Sequence, residues 1–230
     1  MLPHGYPRLA IYREIPRRTI FREMRAFADE FLARNGAALE GYSAQWSRDP
    51  LHRWSRRWEY PFVTERVGAA LGERAGPARL LDAGSGLTFF AHWLAQRNPG
   101  LQVEALDRDA AVESAATELE PPARDSVSYS TGDLASLPYP DASFALVSCI
   151  SVLEHTRNRD AIIREFARVL EPGGMLVLTV DVSLDDRWEI PRSEATGLLA
   201  ELGRHFTPDG DYRRMLEAFD ADTMLTTDRV

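Results

Sequence analysis

A chain of 230 residues, 44% apolar and 27% charged, has the length and composition of one soluble α/β domain with an appended segment. Its single cysteine, Cys149, excludes a disulfide framework and a multi-cysteine zinc site; all 27 cationic residues are arginine, which excludes Schiff-base lysine chemistry; and no apolar run is long enough to span a bilayer. The net charge of −8 divides unevenly, with 13 Arg against 9 Asp plus Glu in residues 1–75 (+4) and 14 against 26 in the remainder (−12), and an acidic main domain argues against a nucleic-acid partner.

The first residues lack the basic-then-apolar order of a secretory signal, so the cytoplasm is the expected location. Pro3, Pro7 and Pro16 predict irregular structure over residues 1–16. From Arg17 to Arg34, Ile20, Met24, Phe27 and Phe31 recur at helical spacing and give a helix with a broad apolar face. Between Tyr42 and Phe62, aromatics (Tyr42, Trp46, Trp54, Trp58, Tyr60) alternate with Arg48, Arg53, Arg56 and Arg57. Such a segment lines a small-molecule pocket or anchors a cap. A helix is expected from about Tyr60 to Gly72, and Gly76-Pro77 marks a boundary. Residues 1–75 thus read as a helical N-terminal cap and residues 76–230 as the main domain. The cap's excess of arginine suits docking on the acidic domain; its aromatic face also suits a lid over an acceptor pocket.

The stretch Arg79 to Phe90, RLLDAGSGLTFF, organises the rest of the chain. An apolar strand reaches Asp82, turns through Ala83-Gly84-Ser85-Gly86, and continues into Leu87, Phe90, Ala91 and Leu94 at helical spacing. Glycine permits a sharp turn that brings backbone close to a ligand, and the N–H groups beyond it offer positive potential to an anion. A GxGxxG dinucleotide fingerprint needs a small residue where Phe89 stands, and a phosphate loop needs a lysine the chain lacks.

After Asn98-Pro99-Gly100, LQVEAL is a second strand ending at Asp107, 21 positions beyond Gly86, near the offset at which an acid reaches ribose hydroxyls. Asp107 or Asp109 is equally suited to cap the helix starting at Ala110. VSYST is a third strand leading to Gly132-Asp133-Leu134, and Phe144 to Ile150 a buried fourth, in which Cys149 is an inert thiol. A helix from Arg159 to Leu170 ends at Pro172-Gly173-Gly174, and MLVLTVDV is a fifth strand. Strand and helix in alternation predict a doubly wound, mostly parallel sheet with ligands at its carboxyl edge.

The ordered set LLDAGSG, VEALDRD, GDLASLPYPDASFALVSCISVLEH and ARVLEPGGMLVLTV resembles the class I S-adenosylmethionine-dependent methyltransferases, in particular the small-molecule subgroup of quinone and natural-product enzymes, over about residues 60–185. The motif departs at Thr88, where the family usually has a third glycine. The resemblance implies a Rossmann-like fold, S-adenosyl-L-methionine as cofactor and a small organic acceptor. It places Asp82, Gly84, Ser85 and Gly86 at the methionine end, Asp107 at the ribose, Asp133 and Leu134 at the adenine, and Arg108 and Ser151 in the same cofactor set. Arg57 or another cap arginine is expected to clamp the carboxylate. For an oxygen acceptor, Glu154 and His155 past the fourth strand are the catalytic candidates, with His52 a second base. His92 is expected on the exposed side of its helix, while His4 and His205 carry no expected role.

The family fold closes with a helix and a two-stranded hairpin. Here Ala195, Leu198, Leu199 and Leu202 mark the helix and only ADTMLTTD is left for a strand, so the chain is expected to be truncated or to complete its sheet with a second copy as a homodimer. Two further readings of the same residues stay open: a donor-site protein that performs cyclisation, and a non-catalytic subunit that keeps the fold. No metal and no membrane are expected.

Overall fold

The computed structural model of the chain describes residues 1–42, 48, 50–120, 127–183 and 190–218. Five parallel strands form one sheet in the order β3-β2-β1-β4-β5: β1 (Ala78–Ala83), β2 (Leu101–Asp107), β3 (Val127–Thr131), β4 (Phe144–Ile150) and β5 (Leu170–Thr179). The order reverses between β1 and β4, so the carboxyl ends of β1, β2 and β4 surround a crevice where an open α/β sheet takes its ligand.

Alternation along each strand sends successive side chains to opposite faces. Leu80, Val103 and Leu146 join one buried cluster, while their neighbours Leu81 and Val147 join the other. Against the first face pack α2 (Thr19–Tyr42), α3 (Trp54–Gly72), α4 (Phe90–Arg97) and α5 (Ala110–Ala116); against the second pack α6 (Arg159–Val169) and α7 (Arg192–His205). The N-terminal segment shares its core with the sheet: Phe27 lies 5.6 Å from Trp93 and 6.3 Å from Phe89, centroid to centroid. Exposed pairs across this junction, Arg97–Glu23 at 2.9 Å and Arg74–Glu171 at 2.8 Å, add little. Docking is therefore carried by apolar burial rather than by the arginine excess.

Several expectations are corrected. Residues 1–16 are not irregular throughout, since α1 (Leu9–Glu14) and a 3-10 turn (Ile15–Arg17) form there. Tyr12 and Ile15 are buried at i, i+3, and Pro16 sits in the first turn, where its missing N–H costs nothing. Helix α2 runs to Tyr42 rather than Arg34. Helix α3 begins at Trp54, so Pro61 lies inside it instead of at its start, held there by Trp58 and Phe62 stacked at 4.6 Å. The fifth strand starts at Leu170 and ends at Thr179; Val182–Ser183 (β6) pairs instead with Ile190–Pro191 (β7). A short α8 (Tyr212–Glu217) follows α7. Trp46, the side chain of His52 and the ADTMLTTD segment lie outside the described residues. Among the described residues, no helix is long and apolar enough to cross a membrane.

Candidate functional site

The turn after β1 requires its glycines. Gly84 has φ +75, and a Cβ there would stand 2.6 Å from Cγ2 of Val152, just past β4; Gly86 has φ +53. The N–H groups of Gly84 and Ser85 donate to the Leu106 carbonyl at 2.8 and 3.2 Å, and that of Gly86 to Asp107 Oδ2 at 2.9 Å. The turn thus folds over the tip of β2, its three amides already engaged inside the protein. Three further residues separate it from α4, so the amides at the crevice belong to the turn and not to the helix. The Ser85 hydroxyl is buried with no hydrogen-bond partner.

At the tip of β2, Asp107 Oδ1 also accepts the Asp109 amide at 3.0 Å, while Asp109 caps α5 by accepting from Ala111 at 3.0 Å. The two aspartates divide the two roles open to them. Arg108 between them is exposed. The Gly132 amide donates to the Asp107 carbonyl at 2.9 Å, which sets the β3 loop beside the same tip. In that loop Asp133 is exposed, its Oδ1 accepting from Ala135 at 2.9 Å, and Leu134 is buried.

Asp82 is 5% exposed and accepts the Ser148 hydroxyl at 2.8 Å, its register partner on β4. Burial pushes its pKa up to about 6, Asp107 adds to the rise, and Ser148 and Arg56 oppose it. Ser151, at the end of β4, has φ +49, a left-handed conformation unusual for a side-chain-bearing residue. The following 3-10 turn, Leu153–His155, splits the expected acid–base pair. His155 is exposed; Glu154 points inward, 6% exposed, with Oε1 accepting the Asp181 amide at 3.2 Å and Oε2 buried without a partner. Burial first, then Asp181 and Glu59, push the Glu154 pKa up to about 8.

The structure brings together Gly84, Ser85, Gly86, Asp107, Gly132 and Ser151 around the crevice, and it adds residues from the N-terminal segment. Arg56 donates through Nη1 to the Ser151 hydroxyl at 2.8 Å and forms an ion pair with Glu59. Glu59 Oε1 accepts hydroxyls from Ser151 at 2.6 Å and from Thr179 at 2.8 Å. Burial raises the Tyr42 hydroxyl pKa, and Asp107 and Asp109 raise it further, so the end of α2 faces the β2 tip. Arg57, expected to clamp a carboxylate, instead donates through Nε to the Leu51 carbonyl at 3.0 Å. The aromatic and arginine interleaving left a pocket lining or a cap anchor open, and did not show which arginine turns inward.

His92 reverses its expectation: it is 3% exposed, stacked 4.9 Å from Phe31, with Nε2 at 2.8 Å from the Tyr129 hydroxyl. His4, left without a role, lies 2.8 Å from Asp209 and lines the large groove beside β5. That groove, about 2190 Å³, runs between Trp58 and Phe62 of α3, Leu176 and Leu178 of β5, and Leu198 of α7. Among the described residues its lining leaves out the glycine turn and the Asp107 and Asp133 tips, and includes Glu59 and Thr179. Cys149 is buried and its thiol pKa raised, as expected of an inert group.

Comparison with known proteins matches residues 81–178 to the methyltransferase domain family. Methyltransferase GfsG of Streptomyces halstedii is 35% identical over 148 residues, covering 61% of this chain and 50% of that protein. Demethylmenaquinone methyltransferase of Deinococcus radiodurans is 34% identical over 113 residues, 49% of this chain and 47% of that protein. Among solved structures, the (4+2)-cyclase SpnF aligns with a TM-score of 0.51 at 25% identity, over 80% of this chain and 69% of that one. This chain spans about half the length of the curated relatives it matches. Family match and sheet architecture agree: residues 81–178 match a methyltransferase domain and lie in a Rossmann-like methyltransferase fold, and S-adenosyl-L-methionine is the cofactor that such a domain and fold imply.

Proposed function

We propose that this chain transfers a methyl group from S-adenosylmethionine to a small organic acceptor of natural-product or quinone type. The observation that carries the reading is the convergence of the glycine turn on Asp107 within the family-matched segment. The residues fit that donor: Gly84 leaves backbone where a side chain would collide, the Ser85 hydroxyl is buried without a partner, and the acids at the strand tips suit a ligand of net positive charge. The name of one relative, a demethylmenaquinone methyltransferase, supports a quinone-type acceptor.

Bound at the site, the donor supplies an electrophilic methyl group on a sulfonium. Asp107 would accept from the ribose hydroxyls, and Asp133 with the Leu134 amide would hold the adenine edge. Since methyl transfer is an in-line displacement, the protein's main task is alignment and exclusion of water, which the cap's buried aromatics serve. For an oxygen acceptor, exposed His155 past β4 is the candidate base, while Glu154, held protonated near pH 7 by burial, is not.

Incubating the protein with methyl-labelled donor and a metabolite extract tests this. Label in an acceptor with matching S-adenosylhomocysteine supports it, and donor bound with no transfer to any fraction overturns it. A second reading, cyclisation with the donor retained, has the likeness to SpnF in its favour. It predicts converted substrate without S-adenosylhomocysteine.

A further inference from the structure

Among the described residues, no strand pairs with the outer edge of β5. From Met175 to Thr179 this strand runs beside β4 in unbroken register, and the Thr179 carbonyl accepts the Ser151 amide at 3.0 Å. Thr179 therefore turns its backbone groups toward β4. Because these groups alternate in direction along a strand, Met175 and Val177 also face β4, while Leu176 and Leu178 turn N–H and C=O the other way. That way lies the groove, which both leucines line.

The groove is open across the thickness of one sheet. Trp58 and Phe62 of α3 line it on one face of the sheet, and Leu198 and Leu202 of α7 on the other. A second copy arriving with its own β5 would press its α3 and α7 on these walls before the strands came within the ~4.8 Å of a ladder. A chain without flanking helices meets no such obstacle. A purely hydrocarbon occupant would strand the backbone groups of Leu176 and Leu178 away from water, which is costly. An extended chain of amides pairs with them and sends its side chains by turns to the aromatic and the leucine wall. At about 2190 Å³ the groove also exceeds the roughly 300–1,000 Å³ that a compact ligand fills.

One end of the groove adjoins the crevice. Glu59 and Thr179 both line it, and Glu59 Oε1 accepts the Thr179 hydroxyl at 2.8 Å and the Ser151 hydroxyl at 2.6 Å. The residue after Ser151, Val152, stands against Gly84 of the glycine turn. A chain lying along β5 thus has one end near that turn and its length directed away from it.

We propose that the β5 groove is the acceptor's binding site and takes a linear peptide-type molecule, paired in extended form with the backbone of Leu176 and Leu178, its terminal amine or hydroxyl at the crevice. This rests on the methyl-donor reading above and narrows its acceptor class. In the transfer, a lone pair of the terminal atom bonds the methyl carbon, sulfur keeps the electron pair of the broken bond as S-adenosylhomocysteine, and the acceptor's proton passes to solvent.

The test is amide hydrogen exchange on the full chain, alone and with a library of linear hexapeptides apolar at every position. In the chain alone, the Leu176 and Leu178 amides are expected to exchange at least tenfold faster than that of Val177. Equal protection would mean that residues 219–230 or a second copy already cover the edge, and overturns the proposal. Peptides are expected to slow both amides tenfold or more, and to lose tenfold or more in affinity when alternate amides are N-methylated with the side chains unchanged. Leu178→Pro, tolerated where an edge N–H faces outward, should lose peptide binding to the same extent and keep its affinity for S-adenosylhomocysteine. Should that variant fail to fold, the N-methylated peptides make the comparison on the parent. Protection by no peptide, or equal affinity for the N-methylated set, overturns the pairing. Peptides that bind yet take no label from methyl-labelled donor, while S-adenosylhomocysteine still binds, make the edge a docking site for a protein strand and overturn the acceptor role. Failure to bind S-adenosylhomocysteine overturns the donor reading itself, a result separate from any loss of peptide binding.

Discussion

The Gly86 amide donates to Asp107 Oδ2 at 2.9 Å, joining the turn after β1 to the tip of β2 across 21 residues of sequence. The carboxylate proposed to hold the ribose is thus the one that shapes the turn. Asp107→Ala is expected to weaken S-adenosylhomocysteine binding tenfold or more, about 1.4 kcal/mol per factor of ten. The chain should stay folded, with a modest loss of thermal stability from two unpaired amides. Calorimetry with a parallel melting curve separates the effects, and unchanged affinity removes Asp107 from the site.

Gly84 answers to two constraints at once, a φ of +75 and the side chain of Val152 at 2.6 Å from a would-be Cβ. Gly84→Ala should cost about 1–3 kcal/mol and displace the turn enough to abolish donor binding. Adding Val152→Ala relieves the collision but not the backbone strain. Urea unfolding should therefore recover part of the loss in the double variant, and full recovery would show that strain contributes nothing.

Glu154 is raised from 4.5 to about 8, by burial first. The folded protein keeps a proton that the unfolded chain has released across that interval. Its contribution is therefore fully present below about pH 4.5 and is lost as pH rises through 8. Asp82 acts with the same sign between 3.8 and about 6. Glu154→Gln keeps a neutral side chain at every pH, so the variant should gain stability over the parent at pH 9 and gain little at pH 5. Thermal unfolding at the two values checks this, and a parent no less stable at pH 9 relative to the variant sinks it.

His155 and Glu154 are adjacent in sequence but face opposite ways. With an oxygen acceptor, His155→Ala should lower turnover by about 10²- to 10⁴-fold and leave S-adenosylhomocysteine affinity unaltered. Turnover within twofold of the parent would leave alignment alone to account for catalysis.

Legibility followed burial. β4 was readable to its ends because a strand covered on both faces is a continuous apolar run. Asp107, Asp109 and the helix they introduce were readable because strand-end acids and caps are local devices. His92 was not: with α2 packed outside it, every residue of α4 from Phe90 to Ala95 is buried, so the helix has no solvent side there. The start of α3 was missed because Pro61 reads locally as a helix start, whereas it lies mid-helix with Trp58 and Phe62 stacked on either side of it in sequence.

Sequence alone determined the strand and helix alternation, the glycine turn and the acids at the strand tips, because each is set by periodicity or by backbone chemistry within a few residues. Tertiary structure decided which groups meet. Arg56 turned to Ser151 while Arg57 turned to Leu51, Glu154 went inward while His155 went out, and no local pattern distinguishes either pair. Those choices depend on how α3 settles against β4 and β5, contacts made between residues about ninety to one hundred and twenty positions apart.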